Sequence, residues 1–139
     1  MQYDSNNIFA KMIAGEFSAH KVVETDSALV IMDAFPQSKG HVLIIPKAPS
    51  RNLLDADPAV LAAIMPLIQR VAVAVKQVTG ADGIRLAQSS EAAAGQSVFH
   101  LHFHIIPVVE GASLGTHGSE KADDSELAEL ASQIAAALQ

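Results

Sequence analysis

His100, His102 and His104 alternate with Leu101, Phe103 and Ile105 in the stretch SVFHLHFHIIP, residues 97–107. The chain has six histidines, so half of them fall within five residues. On a β-strand, residues i, i+2 and i+4 project from one face. The spacing therefore predicts three imidazoles on one side and an apolar, core-facing row on the other.

Three uses of such a face are open. It could be merely a polar, exposed strand surface. It could chelate zinc, since imidazole is a favoured ligand and two histidines at i and i+2 can share an ion. A zinc site also wants carboxylates or carbonyls orienting each ring, and no Asp or Glu follows the histidines before Glu110. Finally, it could attack phosphorus. Neutral imidazole is both a good nucleophile and a good leaving group, so a covalent intermediate can divide one hard displacement into two. Side chains two apart on a strand lie about 6.6 Å apart. Two cations at that separation repel by about 2.5 kcal/mol at an effective dielectric near 20. All three rings therefore cannot readily be protonated together, and a shared proton leaves one imidazole to attack beside a cationic neighbour. This suits phosphoryl transfer, where positioning and charge stabilisation dominate.

Just upstream, AAAGQS adds Gly95, whose backbone can approach a ligand closely, and the hydroxyl of Ser97. Ser97 has the wrong parity to share a plain strand face with His100. It reaches the same site only through a bend or bulge; otherwise it is a turn serine.

The remaining chain must position these groups. At 139 residues and half hydrophobic, it is long enough for one domain with its own core, spanning 1–139. NNIFAKMIAGE reads as a short helix capped by Asn7 and ended by Gly15. KVVETDSALVIMDAF reads as two strands about a turn, and PQSKG turns into a buried strand HVLIIP. DPAVLAAIMPLIQRVAVAVKQVTG is a long helix with Asp57 as cap, Pro58 at its first position and Gly80 as stop. Pro66 inside it should kink or split it. GIRLAQ and SVFHLHFHIIPV supply two further strands around the loop SSEAAAGQ. An irregular loop covers about 110–122, and a final helix covers 123–138, with Asp123 and Glu126 spaced as a capping box. Antiparallel strands with segregated helices make an α+β class.

The formal charge of −6, with dispersed Lys and Arg, argues against a nucleic-acid surface, which needs a basic stripe. No basic start leads into an apolar run, and no charge-free stretch of 18 apolar residues appears, so neither a secretory leader nor a membrane span is expected. Absence of cysteine removes disulfides and thiolate ligands and is compatible with the cytoplasm.

GQSVFHLHFHIIP resembles the signature of the histidine-triad family, His-φ-His-φ-His-φ-φ after Gly-Gln-Ser, with φ apolar. NIFAKMIAGEF, DAFPQSKGHVLIIPK and the long helix between fall in the family's order, so the resemblance covers nearly the whole chain. It is nearest the Hint-like bacterial branch. The resemblance implies a five-stranded antiparallel sheet with a long central helix and short terminal helices. It also implies a hydrolase or transferase acting at the α-phosphate of nucleoside monophosphate derivatives, such as phosphoramidates or dinucleoside polyphosphates, without a cofactor. By the same resemblance, His102 is the nucleophile, His100 orients it, and His104 binds phosphate oxygen and assists the leaving group. His41 is the family's fourth histidine, and Ser97 donates to the leaving group. The Gly95–Gln96 backbone contacts phosphate. Asp33, eight residues before His41, accepts from the ribose hydroxyls. Ile8, Phe9, Met12, Ile31 and Leu43 line a base pocket, a purine being expected by family habit; without the resemblance these five would be ordinary core.

Two departures stand out. Where the family usually has asparagine before Gly-Gln-Ser, this chain has Ser90, or Ser89 in another alignment, which shortens one contact near the ribose–phosphate junction. Members with a structural zinc use an early Cys-x-x-Cys pair and later histidines. Here Asn7, Ala10 and Pro49 occupy those places, so no metal is expected. The resemblance further implies a homodimer. The loop 111–119, with His117, follows the triad and could reach an active site or be a plain surface loop.

Overall fold

The computed structural model describes residues 2–115 and 120–139; His117 lies outside the described residues. Three strands form a meander: β1 (Lys21–Glu24), β2 (Ala28–Met32) and β3 (Val42–Pro46). Two more, β4 (Gly83–Ala87) and β5 (Phe103–Val108), complete an antiparallel sheet of order β1-β2-β3-β5-β4. The helices are α1 (Ile8–Ile13), α2 (Pro58–Thr79) and α3 (Asp124–Ala137). This is the expected fold class.

Strand parity decides which residues reach the site. Ile31 pairs with Leu43, and Leu43 pairs with His104. These three therefore share a face, together with Leu29 and Ile45. Phe9 of α1 packs on that face with Met12 and Ile13. The intervening residues Val30, Ile44, Phe103 and Ile105 turn the other way, into the core made with Ile64, Ile68, Val71 and Val75 of α2 and Leu127 and Ile134 of α3. Full burial of each such aliphatic side chain is worth about 1.5–3 kcal/mol. A one-residue register slip would put histidines into that core and is excluded on those grounds. The sheet is thus covered by α2 and α3 on one face and offers the other, under α1, to a ligand.

Local signals operate largely as expected. The Asn7 side chain accepts from the Ala10 amide, and Asp57 accepts from Ala59 ahead of Pro58. Three expectations need correction. Pro66 does not split α2, which runs unbroken through it. Pro66 lies on the exposed side with Ala62, so the carbonyl that loses its donor faces water. Asp123 sits at the N-cap of α3, yet its carboxylate takes the Ser125 hydroxyl rather than a backbone amide, so the capping box does not form. The last strand starts at Phe103, not at Ser97. Residues 97–102 are irregular, with bends at Val98 and His100, and hydrogen-bond to the chain leaving β3 instead of joining a ladder: Leu101 N–H donates to Ser50 O (2.9 Å).

By length and a mean hydropathy of 1.8, α2 has the composition of a membrane span. Its six buried residues, Ile64 to Val75, join the core beneath the sheet, while most of the apolar stretch, including Met65 and Val73, is not buried.

Candidate active site

The three histidines are not equivalent. His100 is fully buried at 1% exposure, whereas His102 and His104 are half-buried, so the triad is not an exposed polar face. His100 Nε2 lies 2.7 Å from the Pro46 carbonyl, which can only accept, so Nε2 carries the proton. Its Nδ1 then accepts from the Tyr3 hydroxyl at 2.6 Å. Burial depresses the His100 pKa, with the Pro46 carbonyl opposing it, so the ring is neutral near pH 7.

The main chain of His100 sets the next ring. His102 Nδ1 lies 2.7 Å from the His100 carbonyl and must donate to it. In the neutral ring the lone pair therefore sits on Nε2. The Phe9 ring meets His102 edge-on, centroids 4.9 Å apart, and restrains its orientation. It is the backbone of His100, not its side chain, that orients His102.

The third ring is set from β3. The Gln37 amide donates to His41 Nδ1 at 3.0 Å, so His41, fully buried, carries its proton on Nε2. That nitrogen lies 2.9 Å from His104 Nδ1 and 3.5 Å from Asp33 Oδ2. His104 Nδ1 consequently accepts, and its own proton is placed on Nε2. The rings of His102 and His104 are 5.0 Å apart. Two cations there would repel by about 3 kcal/mol at an effective dielectric near 20. The network avoids this by holding His104 as a neutral donor, a more definite state than a proton shared across the triad.

A cavity of about 550 Å³ brings most of the candidate residues together: Ile8, Phe9, Met12, Ile31, Asp33, Leu43, Ser97, His102 and His104. The chain bends at Val98, and the exposed Ser97 joins the histidines at the cavity wall. Asp33 Oδ1 also accepts from the Phe35 amide at 2.8 Å. His20, Phe35, Lys121 and Asp124 also line the cavity and are not among the expected site residues. His41 and His100 stand behind the wall. Ser90, Gly95 and Gln96 do not line the cavity: the Ser90 hydroxyl donates to Gln88 Oε1 at 3.0 Å, Gly95 ends a single 3₁₀ turn at φ +101°, and the Gln96 side chain is turned inward.

Among the described residues, Asp33, His41 and His104 are a group able to ligate a metal, their donor atoms lying within 4.8 Å of one another. Two imidazole nitrogens on one tetrahedral zinc stand about 3.3 Å apart, so the 2.9 Å hydrogen bond between the rings would have to open.

The Gln96 side chain belongs to a polar knot that sequence reasoning missed. Arg51 grips Glu91 through Nε–Oε2 (2.8 Å) and Nη2–Oε1 (3.0 Å), and Asn52 Nδ2 donates to the same carboxylate at 2.6 Å. The guanidinium draws the Glu91 carboxyl below the usual carboxylate range. Gln96 Oε1 accepts from the Glu91 amide and from Asn52, while its Nε2 donates to the carbonyls of Arg51 and Val98.

Comparison with known proteins establishes the family and the fold. The HIT-domain family model matches residues 14–111. The chain belongs to the HIT family. That superfamily comprises nucleotide hydrolases and transferases. Among HIT relatives, adenylylsulfatase HINT3 of Arabidopsis thaliana is 39% identical over 127 residues, covering 91% of this chain but only 64% of the plant protein. A Hit-like protein from Bartonella henselae, described as involved in cell-cycle regulation, superposes with a TM-score of 0.91 at 47% identity, over 98% of this chain and 99% of its own. A zinc-bound histidine triad family protein from Mycobacterium smegmatis gives a TM-score of 0.84 at 32% identity, over 96% and 93% of the two chains. Residues Ile8, Phe9 and Met12 before the matched range, and Lys121 and Asp124 after it, still reach the cavity.

Proposed function

We propose that this HIT protein transfers the nucleotidyl group of a purine nucleoside monophosphate derivative to His102 and then to water. The observation that carries the reading is the fixed tautomer of His102: Nδ1–H is committed to the His100 carbonyl, leaving Nε2 as the nucleophilic atom of a ring that lines the cavity. Nε2 attacks the α-phosphorus, and the bond from phosphorus to the leaving group breaks. The leaving group takes a proton from His104 Nε2 or the Ser97 hydroxyl. Water then attacks phosphorus, the P–N bond breaks and His102 is regenerated, the proton from water restoring the donor. The positive charge that develops on the His102 ring is met by the His100 carbonyl. Asp33 would take the ribose hydroxyls, and Ile8, Phe9, Met12, Ile31 and Leu43 the base. Phosphoramidates, mixed anhydrides such as a phosphosulfate, and dinucleoside polyphosphates form the substrate class. The reading needs no cofactor and no metal.

Incubation with adenosine 5′-phosphoramidate should release AMP, and rapid quenching should trap one nucleotidyl group on the protein. His102→Ala should lose both by at least about 10³-fold; full activity in that variant would refute the mechanism. A low-activity nucleotide-binding or interaction module is the second reading, favoured by Ser90, which bonds Gln88 in place of the family asparagine. Tight AMP binding without turnover, with activity restored by Ser90→Asn, would select it.

The same reading expects a cytoplasmic homodimer with no nucleic-acid or membrane partner. Exposed Leu86 on edge strand β4 and exposed Met65 and Val73 on α2 supply apolar surface for a second copy.

A further inference from the structure

Glu91 is the one non-glycine residue with positive φ among the described residues, at φ 77° and ψ 158°. That region is essentially reserved for glycine, and other residues persist there only when their surroundings over-determine them. Glycine at this position would keep every backbone bond of the loop without strain. What glutamate adds is a carboxylate held by three donors from Arg51 and Asn52. The Arg51–Glu91 pair is partly exposed, but its two-point geometry and the hydrogen bond from buried Asn52 give it more weight than an ordinary surface pair. Stability alone does not say what the strained loop holds in place.

Position does. Residues 50–52 also hold the triad segment directly: Ser50 O accepts from Leu101 N–H, and Arg51 O from Gln96 Nε2 at 2.8 Å. The Arg51 guanidinium lies 4.2 Å over the ring of Phe99, the neighbour of His100. Through Arg51 the carboxylate of Glu91 is thus tied to both ends of the segment 96–101, which carries Ser97 and the His100 carbonyl.

We propose that Arg51 and Glu91 are positioning residues, a charged clamp between the chain leaving β3 and the loop before the triad that fixes Ser97 and the His100 carbonyl against the cavity. The clamp rests on the proposed nucleotidyl transfer for its consequence, though not for its geometry. Neither residue touches the reacting atoms; misplacement of the groups they hold by an ångström is enough to cost about 100-fold in rate.

The test uses Glu91→Gly, Arg51→Lys and Arg51→Ala in the full chain. Glu91→Gly removes strain and clamp together, two opposed effects, so its Tm should stay close to that of the parent. Its kcat on adenosine phosphoramidate should nevertheless fall about 10- to 100-fold with KM little changed. Arg51→Lys, keeping charge but losing the fork, should recover part of the rate lost in Arg51→Ala. Hydrogen exchange at the Gln96 and Leu101 amides, which donate to Glu91 O and Ser50 O, should quicken at least about tenfold in Glu91→Gly, whether or not any substrate turns over. Parental exchange at those amides would overturn the clamp, as would parental kcat in Glu91→Gly or an activity loss that merely follows Tm. An inactive parent protein with quickened exchange in Glu91→Gly would instead retain the clamp and reject nucleotidyl transfer.

Discussion

Nε2 of His41 lies 2.9 Å from Nδ1 of His104, and the direction of that hydrogen bond is set by a third group, the Gln37 amide that donates to the far side of His41. A backbone N–H thereby determines, two rings away, that His104 presents a proton on Nε2. The residue with no surface exposure controls the chemistry of the one at the cavity wall.

If that relay matters, a substitute for His41 should be judged by whether it still donates to His104. His41→Ala should lower kcat on adenosine phosphoramidate by about 100-fold, the lower range for a lost acid–base contribution. His41→Gln, whose carboxamide supplies an N–H, should retain clearly more. Equal activity in the two, at matched Tm, would show that His41 only fills space.

Acid stability separates two groups by their pH windows. His100 has a folded pKa below the ordinary value near 6.5, so the unfolded chain binds its proton first as pH falls. Its contribution to stability is complete above about pH 6.5 and declines below it, towards the folded pKa. Glu24 behaves differently: hydrogen bonds from Lys21 and Lys47 draw its carboxyl down to about 2. Its contribution is present above the ordinary glutamate value and is lost as pH falls from there through about 2. Calorimetry from pH 8 to 3 should show Tm beginning to fall near pH 6.5, and His100→Asn should flatten that first limb alone. A first limb of unchanged slope in His100→Asn would assign it to another residue.

Much of this arrangement is legible in the amino-acid sequence. Period two at His100, His102 and His104 separates the imidazoles from Leu101, Phe103 and Ile105 because a register slip would bury them in the core, and Asn7, Asp57 and Gly80 mark helix ends by their own chemistry. Contacts without local periodicity are not legible. Tyr3 and His100 are 97 positions apart, and Arg51 and Glu91 are 40 apart. Glutamate is also the wrong residue from which to guess a glycine-like backbone. The same blindness makes residues 97–102 look like strand: alternation reports which way side chains point, whereas pairing depends on which neighbour supplies the carbonyls. Here the neighbour is the irregular stretch 46–52, through Pro46 O and Ser50 O.

Tyr3→Phe tests the tie between the N-terminal segment and the triad. The hydroxyl donates to His100 Nδ1 and accepts from Asn7 Nδ2 at 3.1 Å. Without it a buried acceptor loses its donor, which costs about 1–3 kcal/mol. Denaturant unfolding should register that loss with an unchanged m-value. A variant as stable as the parent would mean that water replaces the hydroxyl.

Gly40, directly before His41, ties the relay to the end of α2. Its φ is +99°, and a Cβ there would lie 2.4 Å from Cγ2 of Thr79. Thr79 is not free to turn aside, since its hydroxyl donates to Val75 O at 2.7 Å and accepts from the Ala81 amide. Gly40→Ala therefore combines an unfavourable backbone with overpacking, and should destabilise by about 3 kcal/mol. Adding Thr79→Ser removes the clashing methyl and keeps the hydroxyl, so the double variant should regain the overpacking share and retain the backbone share. Unfolding curves of the four proteins separate the two contributions. If Thr79→Ser restores nothing, the methyl contact does not limit Gly40, and the positive φ alone fixes glycine beside His41.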